Sequence, residues 1–567
     1  MDIKKSFTKP PITNLFIRVA QSGFYQGFSK NVTITAKILV AALILWAIAF
    51  PDNAANVLGQ LNSFILAFFN YWYIYAMAFF VLLCLCLALW PKVGRLRLGL
   101  DDDKPEFSRF SWFSMMFGAG IGIGMLTFAA AEPMYHYAKS PGSILGLTEA
   151  STLGNVRDAY VWTFTHWGFA AWGCYSVVGL SLGFYAYRRG LPLTIRSSLA
   201  PLFGENLSGK IGHTIDVIAV VATVLGVAQT LGYGVEQFIS GLSKLGIGDW
   251  LFQYDAEGNR STSTAGVLTA LLVIMGGSTL SALSGVGKGI KWLSNFNMAL
   301  TFFILFFFLV LGSTFFGLSN FFIGLWDYIL AVPQNSVTVW TADGTPAGDA
   351  LASWQGAWTI FYWAWWIAFA PFVGLFLARI SKGRTIREFI LGAMIAPSLM
   401  CFIWFSLVGG TAIDLEVTGL ANGVISAAPL SDKLFVMLGV MLSENLAYLM
   451  SFVVVILLLT YLITSADSAV LIINTINAGG DEGPKARPHI LFWGIALALV
   501  VGGLIIAGGL SAIQTAMIIG ALPFSMVMVL MGISLVIAIY SDIERDKQGY
   551  QTVFPEDYDG DPATEKK

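Results

Sequence analysis

Three groups of side chains in this 567-residue chain have the types and spacing to do chemistry. The first is a pair of aromatic clusters. Trp167, Trp172 and Tyr175 fall within an arc of roughly 140° at 100° per residue, in the middle of an apolar run. Tyr362, Trp365, Phe369 and Phe372 share a narrower arc, with Trp363 and Trp366 beside it. Membrane aromatics ordinarily gather at the lipid–water interface or face lipid, and most of the 18 tryptophans fit that pattern. Two facing aromatic walls would instead cage a cation too methylated for hydrogen bonding, each ring contributing about 0.5–2 kcal/mol when desolvated. An ordinary amine would recruit a carboxylate, and the sequence places none beside these rings.

The second group is the run Gly118-Ala119-Gly120-Ile121-Gly122-Ile123-Gly124, followed by Glu132-Pro133. It reads either as a small-residue packing face or as an opened helix offering amides to a carboxylate and carbonyls to a cation. Its G-x-G-x-x-G-like fragments are not a dinucleotide fingerprint, because no strand precedes them. The third group is Tyr461 to Ser468. Its hydroxyls Thr464 and Ser465 either bond back to the preceding turn or serve a hard cation together with the glycine run. Asp467 is an intramembrane acid and so a functional candidate. His166, beside Trp167, reads more readily as a packing histidine than as a proton-coupling group.

Lipid must position these groups. The chain is 56% hydrophobic and 12% charged, too little polar surface for a soluble protein of this length. The net charge of −2 does not point to a polyanionic partner such as nucleic acid. Four histidines without a spaced metal-ligand pair argue against a membrane-embedded enzyme. Cys84, Cys86, Cys174 and Cys401 lie in apolar runs and read as small hydrophobes. No cleavable signal peptide is expected.

Apolar runs give twelve spans. They lie at about 34–50, 62–90, 109–137, 158–187, 211–241, 265–285, 289–317, 355–380, 387–410, 446–477, 489–508 and 511–541. Segment 318–333 reads as an amphipathic helix in the outer interface, and the tail beyond Ser541 as disordered. Basic residues gather in the N-terminal tail and after the second, fourth and eighth spans, which puts both termini in the cytoplasm of an inner-membrane protein. The third and eighth spans, rich in glycine or carrying Pro371, read as interrupted. Each opens a block of five, so the blocks are inverted and the breaks point to a midplane binding site. The resulting division is an N-terminal tail (1–33), two peripheral helices (34–108), a first repeat (109–317), the interfacial segment (318–353), a second repeat (354–541) and a C-terminal tail (542–567).

At these residues the chain resembles the betaine/choline/carnitine transporter family. The most specific stretch is Trp358-Thr359-Ile360-Phe361-Tyr362-Trp363-Ala364-Trp365-Trp366, continuing through Pro371-Phe372-Val373-Gly374 to Arg379-Ile380-Ser381-Lys382-Gly383-Arg384. Ala131-Glu132-Pro133 with the glycine run, the Trp167/Trp172/Tyr175 set and Thr464-Ser465-Ala466-Asp467-Ser468 agree independently. The resemblance implies an all-α polytopic membrane protein of 12 transmembrane helices. Two inverted five-helix repeats (a LeuT-like fold) would follow two extra helices, usually in a homotrimer among membrane lipids.

The resemblance also implies an onium cage of Trp167, Trp172, Tyr175, Trp363, Trp366 and Phe369. Backbone around Ala119, Gly120, Ile121 and Gly122 would meet the substrate carboxylate. Sodium would sit among the backbone oxygens of Gly118, Ile121 and Tyr461 and the hydroxyls of Thr464 and Ser465. Thr223 and Phe372 match a second sodium site, where Val227 replaces an expected hydroxyl. Phe369 stands where betaine members have tryptophan, after Ala368 in place of a serine. Gly124 stands where choline members often place an acid, which favours a zwitterion. No arginine in the fifth span replaces the cation, so sodium-coupled import of glycine betaine or a sulfonium analogue such as dimethylsulfoniopropionate is expected, with Na+ as coupling ion and no other cofactor. A choline or carnitine transporter, or an amino-acid symporter of the same fold, is the alternative. The tail lacks the long basic helix of osmosensing members.

Overall fold

The computed structural model describes residues 10–120, 122–254, 258, 260–284, 291–555 and 558–563. Among these the chain is helical almost throughout, and the one sheet is a hairpin of β1 (Phe252–Tyr254) and β2 (Arg260–Thr262). A backbone in hydrocarbon must satisfy its own hydrogen bonds, and helices do so within one segment.

The principal helices, in chain order, are α1 (Lys30–Ala49), α2 (Pro51–Leu89), α3 (Arg109–Gly120), α4 (Ile123–Phe128), α5 (Ala131–Ala138) and α6 (Val156–Trp167). Next come α7 (Phe169–Arg189), α8 (Lys210–Lys244), α9 (Thr264–Ser284), α10 (Lys291–Leu311), α11 (Thr314–Asn335) and α12 (Pro346–Gln355). The series ends with α13 (Phe361–Arg379), α14 (Ile386–Trp404), α15 (Gly410–Val417), α16 (Lys433–Met441), α17 (Glu444–Asn477) and α18 (Arg487–Lys547). Among the described residues eleven helices are long and apolar enough to cross a membrane by length and composition, with α6 and α7 counted as one, and likewise α12 with α13 and α14 with α15. This is an all-α polytopic membrane protein.

Local sequence sets the helix ends. Thr385 and Glu388 form a capping box that starts α14. Thr345 caps α12 from the side chain, with Pro346 in its first turn. Gly190, at φ 64°, closes α7 in the left-handed conformation.

Several expectations need correction. The twelve runs do not map one to one onto long helices. The third is divided among α3, α4 and α5, whereas the eleventh and twelfth part as expected, at the kink of non-helical backbone at Gly508 and Gly509 inside α18. The interfacial segment is longer than its sixteen-residue apolar stretch, because α11 runs on to Asn335 and packs along α6. The eighth span is not opened. Residues 356–360 form a π-turn, and α13 then continues as one helix through Pro371. The fourth span, expected to be continuous, breaks instead at Gly168. The tail beyond Ser541 is ordered at its start. α18 extends to Lys547, and Phe554 is buried with its amide donating to the Arg188 carbonyl at 2.9 Å. The Arg189 guanidinium holds Asp542 and the Thr552 carbonyl.

α7 and α13 pack together most extensively. They approach closely at two glycines: a Cβ on Gly374 would lie 2.5 Å from Val178, and one on Gly179 would lie 3.0 Å from the Gly374 carbonyl. This contact brings the two aromatic clusters face to face.

Candidate functional site

A cavity of about 600 Å³ lies between α3, α4, α6, α7, α8, α10, α13 and α17. At one end it is walled by Trp167, Trp172, Tyr175, Trp365, Trp366 and Phe369. From there it passes Tyr461, Thr464 and Ser465 and reaches Ser111, Phe376 and Arg379, at the helix ends that carry the basic loops. Arg379 pairs with Glu482 there.

The wall geometry is that of a box of rings. Trp365 and Trp366 stack with centroids 5.1 Å apart and planes 11° from parallel. Trp167 stands edge-on to Trp366 at 5.0 Å and 70°, and Tyr175 does so at 6.2 Å and 79°. Trp172 is edge-on to Tyr175 at 5.5 Å. Hydrogen bonds fix the indoles: Trp366 Nε1 donates to the His166 carbonyl at 2.9 Å, Trp365 Nε1 to Thr230 Oγ1 at 3.1 Å and Trp172 Nε1 to the Trp167 carbonyl at 3.2 Å. The polar edges of these three indoles thus bond protein, which leaves π-faces for the cavity.

Trp363 is a correction to the expected cage. It does not line the cavity, and its nearest ring partner is His166, at 6.0 Å. Trp365, Trp366, Phe369, Phe372, Val373 and Phe376 share an arc of roughly 120°, and Trp363 lies about 120° from its centre. The residue two along, Trp365, takes the place on the wall.

The expectation of no carboxylate beside the rings is also overturned. Glu132 on α5 is buried, and its Oε2 accepts from Trp167 Nε1 at 2.5 Å and from the Tyr362 hydroxyl. Oε1 lies 2.8 Å from His166 Nδ1 and 3.3 Å from His136 Nε2. His166 Nε2 is 3.1 Å from Thr359 Oγ1, so this histidine is a hydrogen-bonded packing group. The three could offer metal ligands from atoms within 4.8 Å of one another, but those atoms already hydrogen-bond each other. Glu132 lies thirty-five residues before Trp167, and only tertiary packing reveals the pair.

The glycine run opens less than expected. α3 is helical through Gly118, Ala119 and Gly120; Gly122 is extended (φ −165°, ψ −164°), and α4 starts at Ile123. Ile121 lies outside the described residues. Gly122 and Gly124 both line the cavity. A Cβ on Gly124 would lie 3.0 Å from Trp365 and 3.1 Å from Trp167, so a side chain there would press on both rings.

Of the residues expected to hold cations, Tyr461, Thr464, Ser465 and Phe372 line the cavity. Thr464 Oγ1 donates back to the Thr460 carbonyl at 3.0 Å and accepts from Asn297 Nδ2 at 3.0 Å. Thr223 is buried on α8 away from the cavity, bonded back to the Ala219 carbonyl at 2.7 Å. Asp467 accepts from Ser281 Oγ at 2.5 Å and Ser468 Oγ at 3.1 Å. Asn297 and Thr230 are cavity residues that the sequence reading missed; the polar cluster Ser294-Asn295-Asn297 in an apolar run was the available signal.

A polytopic helical protein with an aromatic-walled cavity among its spans has the form of a solute transporter. Comparison with known proteins identifies the kind. The family model described as BCCT, betaine/carnitine/choline family transporter, matches residues 31–544, and the chain belongs to that family. It is 38% identical over 511 residues to a glycine betaine transporter of Bacillus subtilis (strain 168), covering 90% of this chain and 93% of that one. A probable glycine betaine transporter of Desulfitobacterium hafniense (strain Y51) is 35% identical, covering 90% and 98%. The high-affinity choline transport protein of Escherichia coli (strain K12) is 36% identical, covering 87% and 69%.

Proposed function

We propose that the protein imports a small methylated onium zwitterion, glycine betaine or a sulfonium analogue, by sodium-coupled symport with alternating access. The observation that carries this reading is the box of Trp167, Trp172, Tyr175, Trp365 and Trp366 around one end of the cavity. Methyl groups on a cation offer no N–H donors, so the ring quadrupoles are the remaining source of attraction. The glycine at position 124, close against two rings, favours a zwitterion, because an acid there would compete for the onium group and press on both rings. Hydroxyls of Thr464 and Ser465 beside the same cavity support a hard cation held close to the substrate. The basic-loop end is the cytoplasmic one, so this conformation is the one that releases solute inward. Both termini lie in the cytoplasm of an inner-membrane protein, and the assembly is a homotrimer.

The test is uptake of labelled glycine betaine, dimethylsulfoniopropionate, choline and carnitine into proteoliposomes, with and without a sodium gradient. Betaine uptake that collapses without sodium supports symport. Uptake indifferent to sodium removes the coupling, and preference for choline removes the zwitterion.

A further inference from the structure

Glu132 is a buried carboxyl group that no lysine or arginine among the described residues reaches. Its carboxylate faces four donors, Trp167 Nε1, the Tyr362 hydroxyl, His166 Nδ1 and His136 Nε2. Two carboxylate oxygens offer about four lone-pair sites, so the set is complete. His166 Nε2 faces the Thr359 hydroxyl, which donates to it when Nδ1 carries the proton. His136 Nδ1 has no hydrogen-bond partner among the described residues. No lysine or arginine among those residues pairs with Glu132. A buried ion is costly without a counterion.

The nearest place for one is across an indole. Trp167 bonds the carboxylate through its N–H and lines the cavity with its ring. Tyr362, the other ring bonded to Glu132, lies behind the wall and stacks on Trp366 at 5.5 Å and 26° and on Trp365 at 6.1 Å and 22°, whose rings line the cavity. One carboxylate therefore anchors rings from both aromatic helices, α6 and α13. A hydrogen bond from an indole or phenol to an anion pushes electron density into the ring, which enriches the face that an onium group meets.

We infer that Glu132 is a positioning residue that supplies the countercharge for the substrate's onium group through Trp167 and Tyr362. It touches no substrate, since it does not line the cavity; the cage acts as the relay. This rests on the onium reading of the site. It also explains how a cavity with no carboxylate of its own prefers a cation over a neutral group of the same shape.

The test compares glycine betaine with 3,3-dimethylbutanoate, its isostere with a neutral tert-butyl head, by calorimetric binding to purified protein in nanodiscs. Glu132→Gln removes the charge and keeps size and polarity. Betaine should lose about tenfold in affinity while the isostere changes less than about twofold, so the ratio between them falls. Should the glutamine variant not yield monodisperse protein, Glu132→Asp withdraws the charge by one methylene. A loss for betaine of about threefold with the isostere unchanged is then expected. Equal losses for both ligands, or no loss for betaine, in either variant would overturn the inference and assign Glu132 a purely structural role. Wild-type protein that binds no onium ligand would instead remove the onium reading itself.

Discussion

Replacing Trp366 is the most direct perturbation of the cage. Its ring lines the cavity, stacks on Trp365 and meets Trp167 and Tyr175 edge-on. Trp366→Ala removes one desolvated cation–π contact, about 2 kcal/mol. It also removes two edge-to-face pairs worth about 0.5–1.5 kcal/mol each, part of which is felt by the ligand as looser walls. A combined loss of about 3 kcal/mol is on the order of a 100-fold rise in Kd for betaine. Trp366→Phe keeps a weaker ring and should cost about tenfold. Both variants lose the Nε1 bond to the His166 carbonyl, so both lower the thermal stability of the ligand-free protein by the cost of one unsatisfied buried carbonyl, about 1–3 kcal/mol. Binding calorimetry and a thermal shift assay together separate the two effects. Monodisperse Trp366→Ala protein that binds betaine within about threefold of wild type would falsify the cage.

Phe369 is the smallest aromatic of the wall, and Phe369→Trp should change relative uptake of betaine and the sulfonium analogue by about fivefold or more, read by competition; an unchanged ratio means this position does not select. Gly124→Asp forces apart rings only 3.0 and 3.1 Å from the new Cβ and adds a carboxylate. The betaine-to-choline uptake ratio should fall at least about tenfold, and a constant ratio refutes the steric argument. Thr464→Ala deletes a hydroxyl that faces the cavity and accepts from Asn297. The sodium concentration for half-maximal uptake should rise about tenfold with little change at saturating sodium, and an unchanged sodium curve would take Thr464 out of the cation site.

The membrane class was legible because length and apolarity decide it segment by segment. The aromatic walls were legible because helical periodicity is local, and that same periodicity explains why Trp363 turns away while Trp365 and Trp366 do not. Breaks were read less well. Pro371 signalled an interruption, but α13 runs helical through it, and the irregularity sits instead in the π-turn at residues 356–360. Gly168 signalled nothing, since one glycine in an aromatic run also reads as a packing residue. Its necessity is tertiary: a Cβ there would lie 2.5 Å from the Tyr328 hydroxyl, which receives the freed Phe169 amide at 2.8 Å. Glu132 and Asn297 were missed as cavity neighbours for the same reason. Their partners come from helices distant in sequence.

The break at Gly168 separates Trp167 from Trp172, one on each side of a single residue. The box is thus assembled across a joint, and its width follows the angle between α6 and α7. A cation gripped by both indoles resists any bend that parts them, and a bend that parts them loosens the grip. Affinity and shape become one variable, so the solute can act as the pin of the hinge that carries it.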